Sequence, residues 1–278
     1  MSARQIATIV PATKTPEGSG VTVYRTIGTP KVNVLDPFLL LDEFVIDDGR
    51  SGAGFPSHPH RGFETVTYMF EGLMTHADNA GHGGTIGPGA AQWMTAGRGI
   101  VHSEIPAVDP DGQGVGVRGM QLWVNLPARD KMRAPRYQDI DATDIPHVAI
   151  DGGDIAVIAG QYNGVAGPIV EIATQPLYLD ISIGVGATVD VPMPAGHAAF
   201  LYVVDGSAMI EGQDTTRRSL VVFSDGDHVQ VGAGSKGLRA ILVAAKPLGE
   251  PVARYGPFVM NTRDEIKQAM DDYRAGRF

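Results

Sequence analysis

Short runs of alternating apolar and polar residues, each stopped by glycine, proline or aspartate, constrain this chain more than any other feature. QIATIV (5–10) and VTVYRTI (21–27) come early, and LDPFLLLDEFVID (35–47) mixes apolar residues with acids. ETVTYMFEG (64–72), AAQWMTAG (90–97) and MQLWVNLP (120–127) follow. The pattern resumes in HVAIDGGDIAVIAG, LYLDISI, AAFLYVVDGSAMIEG, SLVVFSDGDHVQVGAG and RAILVAAKP. A period of two sends successive side chains to opposite faces of a strand, so such a chain is expected to be all-β, a sandwich or a barrel. The 36 glycines and 19 prolines supply the turns. Only the tail changes period. In NTRDEIKQAMDDYRAG, Ile266, Met270 and Tyr273 share a helical face, and Thr262 with Glu265 fits a capping box. A short C-terminal helix docked on a β core is expected, with no chemistry of its own.

The length of 278 residues suits one large or two ordinary domains, and the 43% hydrophobic content supplies a sizeable core. ARDKMRAPRYQDIDATDI (128–145) is a polar bridge with little periodicity, which suggests domains at 1–134 and 135–278. The halves also resemble each other. TVTYMFEG (65–72) overlays AFLYVVDG (199–206), matching Tyr68 with Tyr202 and Gly72 with Gly206, and QWMTAG (92–97) overlays VQVGAG (229–234). A net charge of −9 without a run of either sign argues against direct nucleic-acid binding and against a polybasic membrane patch. With no cysteine, thiolate chemistry and Cys-ligated zinc or iron–sulfur sites are excluded. MSARQIATIVPATK lacks the pattern of a secretion signal and no stretch is apolar enough to span a bilayer, so a soluble, cytoplasmic protein is expected.

FPSHPHRGFETVTY (55–68) holds His58 and His60 two apart, and TAGRGIVHSEIP (95–106) holds His102 and Glu104 two apart. On extended segments each pair points to one face, and neutral imidazoles with a carboxylate form a donor set for a divalent transition metal. A plainer reading stands beside this one: His58 caps a turn next to Pro59, and His102 with Glu104 forms a solvent-facing hydrogen-bond pair. His76 and His82, in THADNAGHGG, line a pocket or a mobile rim and are left outside the ligand set. On the overlay, Pro192, Pro194 and Ala198 stand opposite His58, His60 and Glu64, so the second half is expected to carry no metal.

FPSHPHRGFETVTY, GPGAAQWMTAGRGIVHSE, MQLWVNLP and GPFVMNTRDEI resemble the pirin family of bicupins over nearly the whole chain. The resemblance implies two cupin jelly-roll β-sandwich domains, the N-terminal one metal-binding and the C-terminal one degenerate. It implies one mononuclear Fe(2+) site on His58, His60, His102 and Glu104, which other divalent transition metals could also occupy. Cupins in general use the carboxylate following HxH, here Glu64, whereas pirins use the later one. Glu64 is therefore expected to hold a histidine or a backbone turn in place, while Gly97 and Gly99 permit the tight approach of the second ligand segment. Arg98 either pairs with an acid to brace that turn or lies at the surface. The activity implied is that of a quercetin (flavonol) 2,3-dioxygenase, an oxidoreductase joining dioxygen to a flavonol or other enolic small molecule, with Glu104 as ligand and base. Phe55, Phe63, Trp93 and Met94 are candidates for the substrate pocket, against their use as core. Some pirins act instead as non-enzymatic, iron-binding transcriptional co-regulators through a protein partner. A monomer is expected, because duplicated cupin domains can supply each other's packing within one chain.

Overall fold

A computed structural model describes residues 2–47, 52–107 and 116–278. The contacts group the chain into two units of separated stretches. The first contains Lys14–Gly28, Phe38–Ala142 and Leu248–Phe278; the second contains the stretch up to Thr13, Thr29–Pro37 and Thr143–Pro247. A single cut after residue 134 does not reproduce this grouping. Strand Ile6–Pro11 pairs with Ser219–Phe223 in the second unit's sheet, and the tail from Leu248 belongs to the first unit.

Among the described residues the first unit has two main sheets. The larger runs, in spatial order, Arg136–Ile140, Ala91–Thr95, Phe63–Glu71, Val117–Asn125, Phe38–Ile46, Val21–Ile27 and Thr13–Glu17. The smaller runs Phe55–His60, Ile100–Pro106, Met74–Asp78 and Gly83–Ile86. Val23, Phe44, Met69 and Val117 from the larger sheet share one buried cluster with Met74 and Ile86 from the smaller, so the two form a sandwich closed by apolar burial. The second unit has one main sheet, ordered Ile6–Pro11, Ser219–Phe223, Ala198–Ile210, His228–Ala245, Leu177–Ile183, Gly153–Ala159 and His147–Ile150, beside a small hairpin of Gln161–Tyr162 and Val165–Ala166. Thr188–Pro192 pairs with the start of the long strand His228–Ala245, while Leu177–Ile183 pairs with its end.

The internal repeat is real, and its second anchor needs correction. Tyr68 faces Ala91 and Met120 on its neighbours, as Tyr202 faces Leu220 and Ile241. Gly72 and Gly206 both have positive φ, and a Cβ on either would stand 2.3 or 2.0 Å from the carbonyl of Gly116 or Gly237. By the same register Trp93 answers to Val222, so Ala91–Thr95 corresponds to Ser219–Phe223 and not to the segment 229–234.

The helix forms as its caps require. In Arg263–Arg274 the Thr262 hydroxyl accepts from Glu265 N at 3.2 Å, and Glu265 accepts from Thr262 N at 2.8 Å. Ile266 and Ala269 are buried with Phe258 and Met260, Met270 packs partly, and Tyr273 is exposed at the edge. No helix among the described residues is long and apolar enough to cross a membrane.

Candidate metal centre

His58 and His60 come from Phe55–His60, and His102 from Ile100–Pro106, paired antiparallel with His58 opposite His102. Directly opposed residues share a face of the sheet, so the pairing carries all three imidazoles inward. His60 and His102 are 3% and 1% exposed, and ligand atoms of the three lie within 4.8 Å of one another. The solvent-facing reading of His102 is thereby excluded. Nε2 of His58 is 3.0 Å from Nε2 of His60. Two cis nitrogens about 2.1 Å from one ion stand at about this separation. Neither ring nitrogen of His102 has a hydrogen-bond partner, an expensive arrangement unless something else takes the lone pair. Burial, with the neighbouring His102 and His58, holds His60 well below the usual imidazole value, and burial lowers His102 to about 4. Both are neutral near pH 7, the form that donates to a metal. The donor set, its convergence and the unpartnered nitrogens all fit one transition-metal ion.

Glu104 lies two residues beyond His102, across a bulge; its carboxylate is buried but stands outside the group formed by the three histidines. It accepts from Thr67 Oγ1 at 3.1 Å and from Gln121 Nε2 at 3.1 and 3.2 Å. Gln121 in turn accepts from the Trp123 indole at 3.3 Å, so a hydrogen-bonded chain fixes the carboxylate's direction.

Of the two roles expected of Glu64, the contact with a histidine is absent, while the one with Thr95, which enters the turn at 96–99, is present. Phe63 packs on His60 and Thr67 bonds Glu104, so the alternation of Phe63–Glu71 puts Glu64 on the opposite face. Its carboxylate accepts from Thr95 at 2.7 Å and holds no histidine. Burial pushes its carboxyl up to about 7, against the Thr95 hydrogen bond.

A cavity of about 410 Å³ adjoins His58 and His60. Phe55 lines it, as expected. Phe63 instead packs behind it against His60 and Trp123, with ring centroids 5.0 and 4.3 Å apart. Trp93 and Met94 do not line it. Trp93 lies on the Glu64 face, while Met94 packs with Ala96, Ile100 and Tyr137. The walls that sequence reasoning missed are Leu40, Gln121, Trp123 and, from the tail, Arg254 and Pro257.

The tail reaches the site through a specific seam. Val259 N donates to Arg61 O at 3.0 Å, and a Cβ on Gly62 would stand 1.9 Å from Val259 O. Buried Lys131 donates to the carbonyls of Gly62 and Val259 and to Asn125, and its burial lowers its pKa to about 8. Arg61, next to His60, pairs with Asp272 of the helix at 2.6 Å and donates to Arg98 O. The Arg98 side chain is exposed, as in the surface reading, and only its backbone carbonyl joins the turn. Gly97 and Gly99 both have positive φ, and a Cβ on Gly99 would meet the Phe278 ring at 2.8 Å. His76 is buried and stacked on Tyr137, and His82 is exposed and pairs with Asp78 at 3.0 Å. Neither belongs to the three-histidine group.

The repeat register also identifies what replaces the histidines in the second unit. In the second unit the pair that answers to Phe55–His60 and Ile100–Pro106 is Thr188–Pro192 with the start of His228–Ala245, where Val189 opposes Val231 and Val191 opposes Val229. The inward positions of that pair are therefore taken by valines, while Pro192 faces outward. These four valines are buried in an apolar cluster. Among the described residues no second group of three metal-binding side chains occurs.

Two related β units, one with its strands' histidines turned inward, define a duplicated cupin whose first half is built for a metal. The chain belongs to the pirin family. The pirin family model matches residues 20–124, and that of the pirin C-terminal cupin domain matches residues 178–278. A pirin-like protein of Caulobacter vibrioides is 47% identical over the full length of both chains. Pirin of Homo sapiens is 43% identical over 98% of this chain and 93% of its own. The crystal structure of a quercetin 2,3-dioxygenase from Acinetobacter baumannii superposes with a TM-score of 0.92 at 34% identity, covering 100% of this chain and 99% of that one.

Proposed function

We propose that this protein is a metal-dependent dioxygenase that opens the ring of a flavonol such as quercetin. One dioxygen is consumed, one carbon monoxide leaves, and a depside ester remains. The observation that carries this reading is the convergence of His58, His60 and His102 beside a cavity with aromatic walls. The likeness to the Acinetobacter baumannii quercetin 2,3-dioxygenase supports it.

His58, His60, His102 and Glu104 would hold the metal, iron(II) in this reading, which would supply Lewis acidity and dioxygen chemistry. The remaining work falls to the chain. Phe55, Leu40, Trp123 and Pro257 offer an apolar bed that displaces water from a flat ring. Thr67 and Gln121 aim the Glu104 carboxylate. An oriented, buried carboxylate can take the proton of the flavonol 3-hydroxyl as its enolate forms.

The test is anaerobic loading with iron(II), then oxygen uptake and carbon monoxide release with a panel of flavonols and other enolic compounds. Stoichiometric carbon monoxide with the depside is the expected result. A fully loaded protein that turns over none of the panel would discard this reading in favour of a co-regulator acting through protein contacts.

A further inference from the structure

The cavity beside the histidines carries a charge for which the ring-opening chemistry has no use. Four ionised side chains line it: Glu17, Arg25, Asp42 and Arg254. Three of them satisfy one another. Arg25 donates to both oxygens of Asp42 at 2.8 and 2.7 Å, and Glu17 lies 3.5 Å from the same guanidinium. Arg254 is different. Its Nη1 donates to the Leu39 carbonyl at 3.0 Å, and its guanidinium lies over the Trp123 ring, 4.7 Å from the centroid. Among the described residues no carboxylate lies within hydrogen-bonding distance of it, Asp42 attracting it only from farther off, and nothing accepts from its Nε or Nη2.

Two contacts hold this cation in place. One plane of the guanidinium is set by the indole, and one edge by a backbone carbonyl. The backbone beneath it is the hairpin of Ala253–Tyr255 and Phe258–Met260, which is sewn to the Arg61–Gly62 turn directly after His60. Arg254 therefore stands at a fixed place relative to the ligand histidines, with donors left over, at the rim of the space a substrate would fill. A planar guanidinium with free N–H groups is suited to a carboxylate or another localised oxyanion.

We propose that Arg254 sets substrate preference, selecting planar phenolic or enolic molecules that carry a second negative group away from the oxygens facing the histidines. The assignment rests on the reading of this cavity as the substrate site. It narrows the substrate class to anionic aromatics, with a carboxylate as the strongest case.

The test is a binding experiment, separate from turnover. Catechol and 3,4-dihydroxybenzoate differ only by a carboxylate, and each is titrated calorimetrically into the full chain loaded anaerobically with iron(II). The acid should bind roughly tenfold more tightly than catechol, the scale of one charge-assisted hydrogen bond at a partly exposed site. Arg254→Gln should erase that advantage while changing catechol affinity little, Arg254→Lys should keep part of it, and added salt should shrink it in the parent. Equal binding of the two ligands by the parent would overturn the proposal, as would an advantage that survives Arg254→Gln. Equal weakening of both ligands in the Gln variant would also overturn it, since Arg254 would then only pack on Trp123. An acid preference in a protein that turns over no flavonol would support the role of Arg254 while removing the flavonol reading.

Discussion

The two units solve one packing problem with opposite chemistry. Where Phe55–His60 pairs with Ile100–Pro106 the first unit turns His58, His60 and His102 inward, and where Thr188–Pro192 pairs with the start of His228–Ala245 the second turns in Val189, Val191, Val229 and Val231. The valines join an apolar cluster with Leu201, Leu242 and other side chains from the same sheet. The histidines bury polar atoms, and His102 finds no protein partner for either nitrogen. A fold that can fill these positions with valine does not need histidine there for stability. The comparison teaches that the first unit carries a local cost in its core, of the kind that a metal would offset by taking the lone pairs.

The largest effect should come from making the first unit like the second. A triple variant, His58→Val with His60→Val and His102→Val, should retain no metal by elemental analysis. Without metal it should melt no lower than the metal-free parent, since each unpaired buried polar group costs about 1–3 kcal/mol. A variant that melts well below the metal-free parent would show that the histidines hold the core together themselves.

Glu104→Gln should act less severely. The shape and the Thr67 contact are kept, while the charge and the proton acceptor are lost. Compared at equal measured metal content, carbon monoxide release should fall roughly a hundredfold, the scale of general-base catalysis. Full metal retention with full turnover would show that Glu104 is neither a needed ligand nor the base.

The smallest effect concerns Glu64, whose counterpart by the Tyr68–Tyr202 register is Ala198. Burial raises its folded-state pKa to about 7 from an ordinary value of 4.5, so the folded state holds this proton more tightly than the unfolded one. The stability this gives is fully present below about pH 4.5 and is lost as pH rises through 7. Glu64→Gln is neutral throughout. Its melting temperature relative to the parent should therefore rise between pH 5 and pH 8, and a difference that stays constant would contradict the assignment.

Much of this was legible in the chain. Period-two runs mark the strands, and two HxH-like pairs mark the inward face because spacing by two is preserved through strand pairing. The capping residues of the helix were equally plain. The rest depends on topology. Trp123 and Gln121 reach the site from a strand whose pattern reads as core, and Arg254 arrives from a tail nearly two hundred positions after His60 in the chain. The overlay at one fixed offset pointed to the prolines, whereas in Thr188–Pro192 it is Val189 and Val191 that face inward and Pro192 that faces out. A fixed offset does not say which side of a strand a residue faces, and the strand register does. The grouping by contacts departs from a cut after residue 134 because hydrogen bonding draws the tail back beside Arg61.

The most direct test of the central claim is metal content per chain, located by anomalous diffraction after saturation with iron(II). The account predicts one ion, bound among His58, His60 and His102, and no density at Val189, Val191 and Val231. Two equally occupied sites, one in each unit, or a single site elsewhere, would contradict it.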